Sequence, residues 1–170
     1  MVVWSTYSFS YFLLLIKTKY LPGDVYATGI ARSFSEILGC LLAGLLQKSL
    51  GHQKTMTFLF LCGFIGSLLI LNFEGERFSH LMPAFMFLTN MGIAGIVPLA
   101  YSTTTLAFPV EISATAVGVC NFMARLVTIY AFVLGEKESP VPERCLCLIV
   151  LAGLVVSTFI QVQPKAKKKE

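Results

Sequence analysis

Charged residues are scarce in this 170-residue sequence, where they make up 13% of the chain while hydrophobic residues make up 56%. Soluble globular domains carry about a quarter charged residues and fewer apolar ones. The mean hydropathy is +0.77. This composition excludes an ordinary soluble domain and predicts a protein that crosses the membrane several times.

The sequence also lacks the motifs of the common enzyme classes. It contains no P-loop, no H-E-x-x-H zinc motif and no Ser, His and Asp arrangement. His52 and His80 stand in polar segments far apart, which argues against a metal site. The cysteines lack metal-ligand spacing, so we interpret them as small apolar packing residues. They are Cys40, Cys62, Cys120, Cys145 and Cys147. We therefore expect no enzyme activity, no cofactor and no resident metal.

The net charge of +4 arises largely from one cluster of lysines near the C-terminus. A basic tail over 163–170, beside an apolar stretch, is typical of a cytoplasmic segment that contacts anionic lipid headgroups. The charge therefore predicts contact with the lipid bilayer and not with nucleic acid.

Six apolar stretches predict an all-α membrane protein with six transmembrane helices. In lipid only helices and closed barrels satisfy every backbone polar group, and these stretches are too long and too uniformly apolar for barrel strands. The predicted spans are 2–16, 26–47, 55–71, 81–101, 115–134 and 146–162, which leave no room for an extramembrane domain.

The first stretch is short enough to suit either a signal peptide or a short span. We favour the span, because no basic segment precedes it and no small-residue cleavage site follows it. Lys17 is then predicted to extend to the membrane surface. Asp24 is a candidate N-cap for the second span.

The second span contains Arg32 and Glu36. On insertion scales each charge costs about 2.5–3.5 kcal/mol, and together they outweigh the gain of about 4 kcal/mol from the apolar residues of this span. The two residues are four apart and can form a direct ion pair. Two hypotheses follow: a structural pair that seals a helix contact, or a pair that lines a solute cavity.

The six spans repeat in character after the third. Spans two and five contain charges, spans one and four contain polar residues, with Gly and Pro in span four, and spans three and six are plainly apolar and are expected to face lipid. Gly92, Gly95 and Pro98 are expected to interrupt span four. This pattern predicts a three-plus-three repeat, as in one half of a facilitator-type transporter.

Two polar segments carry a more specific resemblance. Residues 44–54 (GLLQKSLGHQK) resemble the G-x-L-a-D-r-x-G-r-r/k loop of major facilitator transporters, with Gly44, Gly51 and Lys54 at matching positions. Lys48 and His52 replace the acidic residue and one arginine of that motif. Residues 108–118 (FPVEISATAVG) resemble the E-x-[YF]-P-t-x-[VI]-R-x-x-G-x-G segment of the sugar and organic-ion branches, with Pro109, Ile112 and Gly118 at matching positions. Leu106 and Ser113 stand at the glutamate and arginine positions of that motif.

Residues 121–126 (NFMARL) resemble the n-x-x-A-R-l/i run that follows in organic-ion transporters. The chain as a whole is thus similar to the C-terminal six-helix half of a major facilitator transporter. The resemblance implies a transporter of small organic solutes in a membrane, the plasma membrane in the leading hypothesis, with both termini cytoplasmic.

Candidate residues follow from the charges and from the resemblance. The expected substrate-binding residues are Arg125, Glu36, Arg32, Asn121 and Asn90, and the expected gating-loop residues are Gly44, Gly51, Lys54, Pro109 and Glu111. Because span five holds no acid to neutralise Arg125, we expect this guanidinium to bind an anionic group of the solute. The alternative is that Arg125 is a structural partner of Glu36.

Three organisations of the protein stay open from the sequence. The six helices could act as a homodimer, could pair with a separate N-terminal half, or could be a truncated remnant of a transporter. A rival hypothesis of a different class is an accessory membrane subunit that keeps the helical scaffold and does not transport.

Overall fold

The computed structural model describes residues 1–20, 25–73, 80–137 and 140–159, which form six α-helices and no strand. The helices are α1 (Val2–Lys17), α2 (Val25–Leu50), α3 (His52–Phe73), α4 (Met82–Ala107), α5 (Val110–Gly135) and α6 (Val141–Phe159). The prediction of an all-α protein with six helices is confirmed. Asp24 and the tail 163–170 lie outside the described residues.

Five of these six described helices are long and apolar enough to cross a membrane, and α1 is shorter, with 16 residues. At 1.5 Å per residue α1 spans about 24 Å, less than the hydrocarbon core of about 30 Å.

Helix replaces two segments that were predicted as loops. The segment 102–114 contains only Phe108 and Pro109 outside helices, and the segment 48–54 contains only Gly51, whose φ of 83° ends α2. The polar residues at the end of α4 are accommodated in the helix, where their hydroxyl groups are satisfied by carbonyls of the preceding turn, as Thr104 donates to Ala100 at 2.9 Å.

α4 was expected to be interrupted, yet it is helical throughout, with Pro98 inside it. The glycines of α4 instead serve helix packing. Gly92 lies against the backbone of Gly63 on α3, and Gly95 lies against the backbone of Gly39 on α2. Small residues let helix backbones approach closely, which is the main source of helix association in lipid.

α3 and α6 were expected to face lipid while small residues such as Gly153 and Ser157 formed one helix contact, and each of these helices buries one face in the bundle. α3 buries a face that contains Leu59, Phe60 and Ile70, and α6 buries Val150. Gly153 of α6 lies against Phe60 of α3. An absence of charge does not identify a lipid-facing helix, because small residues can direct an apolar helix into the bundle.

The outer faces of α2 and α5 are the most exposed apolar surfaces of the described bundle. On α2 the exposed residues recur at helical spacing, as do those on α5. We call them the α2 stripe and the α5 stripe. The α2 stripe consists of Ile30, Phe34, Ile37, Leu41 and Leu45, and the α5 stripe consists of Phe122, Leu126, Ile129, Tyr130 and Val133.

Lys17 does not extend to the membrane surface as predicted. Its Nζ lies 2.7 Å from Glu143 Oε1, and both side chains are largely buried, with 9% and 3% exposed. Lys17 stands in the last turn of α1 and Glu143 in the first turn of α6. Each charge therefore opposes the partial charge of its own helix end, which favours the buried pair.

Candidate functional site

A cavity of about 300 Å³ lies between α1, α2, α4 and α5. Glu36 contributes a carboxylate to its wall from α2, and Arg125 contributes a guanidinium from α5. The remaining lining residues are mostly aromatic, hydroxyl-bearing or small: Tyr7, Ser8, Tyr11, Phe12, Cys40, Ala94, Val97, Tyr101 and Asn121. A cavity with an apolar body and a few convergent polar groups suits a small organic ligand.

Glu36 is held from two directions. Arg32 Nη2 lies 3.1 Å from Glu36 Oε1, which confirms the direct pair predicted from the spacing of four residues. The Tyr11 hydroxyl donates a hydrogen bond to the same oxygen at 3.0 Å. The Arg32 guanidinium also lies over the Tyr11 ring, 4.8 Å from its centroid. These contacts neutralise and orient the carboxylate beside the cavity.

Arg32 lies behind Glu36, outside the cavity lining. It is 9% exposed, and its backbone carbonyl accepts hydrogen bonds from Asn90 Nδ2 at 3.0 Å and from Ser35 Oγ at 2.6 Å. Asn90 Nδ2 also donates to Ser35 Oγ at 2.8 Å. Asn90 thus connects α4 to α2 inside the bundle, and the structure does not bring it together with the cavity residues.

Arg125 is the positive group of the cavity, and it forms no ion pair with a described carboxylate. Its guanidinium lies over the Phe12 ring, 5.2 Å from the centroid, and the side chain is exposed. In the described part of the chain no carboxylate lies within ion-pair distance of it. Glu36 pairs with Arg32 and not with Arg125, contrary to the structural-partner alternative.

Asn121 precedes Arg125 by one helical turn and lines the same cavity. The sequence therefore predicted three of the residues that the structure brings together here: Glu36, Asn121 and Arg125. It missed the α1 contribution of Tyr7, Ser8, Tyr11 and Phe12. The density of hydroxyl groups in 5–11 did indicate a helix too polar to be surrounded by lipid, but it did not show which of these side chains line the cavity.

With both arginines charged and Glu36 ionised, the group of residues around the cavity carries one net positive charge. The Glu36 charge is compensated by Arg32, while the Arg125 charge faces the cavity. An anionic group of a ligand could therefore meet Arg125, whose planar fork binds carboxylates in a bidentate manner. The apolar part of such a ligand would contact the aromatic rings of the cavity wall.

The residues expected in gating loops lie at one end of the bundle. Gly51 separates α2 from α3, and Pro109 immediately precedes α5. Gly44, Lys54 and Glu111 lie inside helices α2, α3 and α5, and all three are exposed. Gly44 already lay in the predicted span 26–47, whereas Lys54 and Glu111 are helical because α3 and α5 begin earlier, at His52 and Val110, than the predicted spans 55–71 and 115–134.

No protein-family model matches the chain. The chain is 28% identical over 163 residues to organic cation/carnitine transporter 2 of Rattus norvegicus and 27% identical to that of Homo sapiens, matches that cover 94% of this chain. It is 24% identical over 162 residues, 93% of its length, to solute carrier family 22 member 21 of Mus musculus.

In each case the match covers 28% of the relative's length. These relatives are named as transporters or solute carriers, and the distant similarity extends over most of this chain. Together with five helices that are able to span a bilayer, it identifies the chain as a multi-pass integral membrane protein related to solute transporters.

Proposed function

We propose that the chain is the C-terminal six-helix half of a major facilitator transporter of the organic-ion type, and that its cavity binds a small organic solute. The observation that carries this proposal is the cavity between α1, α2, α4 and α5, where Glu36 and Arg125 face the same space. Intramembrane charges that converge on a cavity are typical of solute pathways.

The packing of the helices supports a three-plus-three repeat. If α1, α2 and α3 correspond to α4, α5 and α6, the contact of α2 with α4 corresponds to that of α5 with α1. The contact of α3 with α4 likewise corresponds to that of α6 with α1, and all four contacts are present. Exchange of the two triplets therefore preserves the main packing pairs, as expected for internally repeated transporters.

The α2 and α5 stripes support a second six-helix unit. They lie on the two helices that provide Glu36 and Arg125, so a partner packed on both stripes would close the cavity on its open side. That partner is either a separate N-terminal half or a second copy of the chain. The plasma membrane is the proposed location.

The solute is proposed to carry an anionic group that binds Arg125. Relatives named for organic cations and carnitine leave a cationic solute as the competing outcome, and Glu36 would be its partner. Arg32 and Tyr11 already occupy Glu36, whereas Arg125 has no such neighbour among the described residues. The anionic solute is therefore favoured.

Arg125→Gln is expected to reduce uptake of an aromatic carboxylate at least about tenfold, because a hydrogen bond to a charged group contributes about 1.5–3 kcal/mol. The measurement is uptake of the radiolabelled carboxylate into proteoliposomes that contain the full chain with its co-purified partners. Arg144→Gln, at an exposed arginine of α6 outside the cavity, is the matched control and should leave uptake unchanged.

Carboxylate uptake that is equal in the Arg125→Gln protein would contradict the anion-binding role. Uptake of an aromatic ammonium ion that requires Glu36 would assign the cationic solute instead. If the purified assembly transports neither ion and contains a stoichiometric transporter partner, the accessory-subunit hypothesis replaces the proposed function.

A further inference from the structure

We propose that His52 is a proton-binding site that fastens the turn between α2 and α3 to α4, and that protonation of its imidazole ring releases this turn. The proposal rests on the contacts of His52 at the end of the bundle that contains Gly51. It does not depend on the proposed transport function.

His52 is the first residue of α3, and its half-buried ring contacts α4. Its Nε2 lies 3.1 Å from the Leu99 carbonyl oxygen and also contacts Thr103 Oγ1. A carbonyl oxygen only accepts hydrogen bonds, so the contact with Leu99 requires a hydrogen on Nε2. Of the two neutral tautomers, this contact therefore selects the one that carries its proton on Nε2.

The other ring nitrogen makes this attachment sensitive to protons. His52 Nδ1 is buried and has no hydrogen-bond partner among the described residues. In the neutral tautomer it is a bare acceptor. A proton taken from water would bind the lone pair of Nδ1, and the resulting N–H would be a buried donor without an acceptor, which is costly.

The surrounding charges add to this cost. Lys48 on α2 and Lys54 on α3 flank the turn and are exposed. Close to the two contacts α4 contributes only Tyr101 as an ionisable group, and the last described turns of α6 contribute none. A positively charged imidazolium beside two lysines has no carboxylate of the described residues in ion-pair contact. The charged ring is therefore more stable in water than in this site.

The turn is short, so release of the ring would affect it directly. Gly51 is the single residue between α2 and α3, and its φ of 83° is a conformation that other residues rarely adopt. A second contact, from Gln47 Nε2 to Ser102 Oγ, is 3.4 Å long and therefore weak. His52 thus provides the shorter hydrogen-bonded attachment of this turn to α4.

The direction of the pH effect follows from the protonation state of His52 in the attached turn. The attached state holds neutral His52, so attachment is complete at neutral and alkaline pH. It is lost as the pH falls through the range in which the imidazole titrates. Acidification on this side of the membrane is therefore expected to free the α2–α3 turn.

The test uses the full chain in lipid nanodiscs. Selective ¹⁵N labelling of histidine gives signals from only His52 and His80, since the sequence has 2 histidines. At about pH 7.5 we expect His52 to show the Nε2–H tautomer, and at about pH 5 the imidazolium. Amide hydrogen exchange of residues 48–54, corrected for the intrinsic effect of pH, is measured on the same samples.

We expect protection of this turn to fall about tenfold on acidification, the size of effect expected from loss of one hydrogen bond. The His52→Gln variant retains an N–H donor and does not titrate, so its protection should not change with pH. The wild-type spectra remain decisive if this variant does not fold. An imidazolium signal for His52 with unchanged protection, a Nδ1–H tautomer at neutral pH, or equal pH dependence in His52→Gln would overturn the proposal.

Discussion

Gly92→Ala is expected to lower the free energy of unfolding by about 3 kcal/mol or more, because the added methyl group overpacks the contact between α3 and α4. A Cβ at Gly92 would lie 2.5 Å from Gly63 N and 2.6 Å from the Leu59 carbonyl oxygen. Both are backbone atoms, so no side-chain rotation relieves the clash and the helices must separate. The measurement is the midpoint of thermal unfolding in mild detergent.

Gly118→Ala is the matched control for this prediction. Gly118 lies in α5, and a Cβ at this position would meet nothing within 4 Å. The exchange of Gly for Ala in a helix interior is favourable by about 1 kcal/mol, so this variant should be as stable as the wild type or slightly more stable. Equal midpoints for the two alanine variants would show that α3 and α4 do not pack as described.

Glu143→Ala is expected to destabilise the protein by about 3–5 kcal/mol, the usual cost of removing one partner from a buried ion pair. The change leaves the Lys17 ammonium buried where Glu143 Oε1 now lies 2.7 Å from it. The loss should appear as reduced yield of monodisperse protein and as a lower unfolding midpoint. Glu136→Ala removes an exposed acid just after α5 and is the control.

The double variant Lys17→Met with Glu143→Leu separates the pair from the site around it. Replacement of a buried ion pair by apolar residues of similar volume is often neutral or stabilising. We therefore expect the double variant to recover most of the stability that Glu143→Ala loses. A double variant as unstable as the single one would assign the loss to packing and not to the loss of the ion pair.

The number and type of helices could be predicted from the sequence, because runs of apolar residues determine membrane helices almost independently of tertiary context. The residues at which the helices begin and end could not be predicted in this way. Thr103 and Thr104 read as loop residues, yet both donate to carbonyls one turn earlier and continue α4. Local hydrogen bonds of this kind compete closely with turn formation, so composition alone does not decide between them.

The direct contacts of the candidate site were predictable only where the two residues are close in sequence. The pair of Arg32 and Glu36 follows from helical spacing, since side chains four apart lie on the same face. The contact of Tyr11 with Glu36 joins two helices, and the pair of Lys17 and Glu143 joins α1 to α6. Such contacts depend on which helices are neighbours, and a single sequence carries no direct signal of that arrangement.

Asn90 illustrates the same limit. A polar residue in an apolar span predicts a buried hydrogen bond, and Asn90 forms two through Nδ2, to Arg32 O and to Ser35 Oγ. The sequence did not reveal whether that bond faces a cavity or a neighbouring helix. Asn90 lies on α4 one turn before Ala94, which lines the cavity. Its place in the sequence is compatible with either outcome, and only the structure distinguishes them.

We expect the cavity to be filled with water and to carry the positive charge of Arg125. The native thiol of Cys40 reports on both properties. Cys40 lines this cavity and is exposed. Membrane-impermeant methanethiosulfonates with a sulfonate or a trimethylammonium group can be compared at Cys40 by peptide mass spectrometry. Each rate is divided by the rate of the same reagent with a free thiol in solution.

We expect Arg125→Gln to lower the ratio of the anionic rate to the cationic rate at Cys40 after this correction, because opposite charges attract at short range and Glu36, one turn before Cys40 on α2, is the same in both proteins. Arg144→Gln should leave the ratio of the two rates at Cys40 unchanged. A water-filled cavity with the charge of Arg125 would be contradicted if neither charged reagent reached Cys40 while a membrane-permeant maleimide did. It would equally be contradicted if the ratio of the two rates were the same in the wild type and in Arg125→Gln.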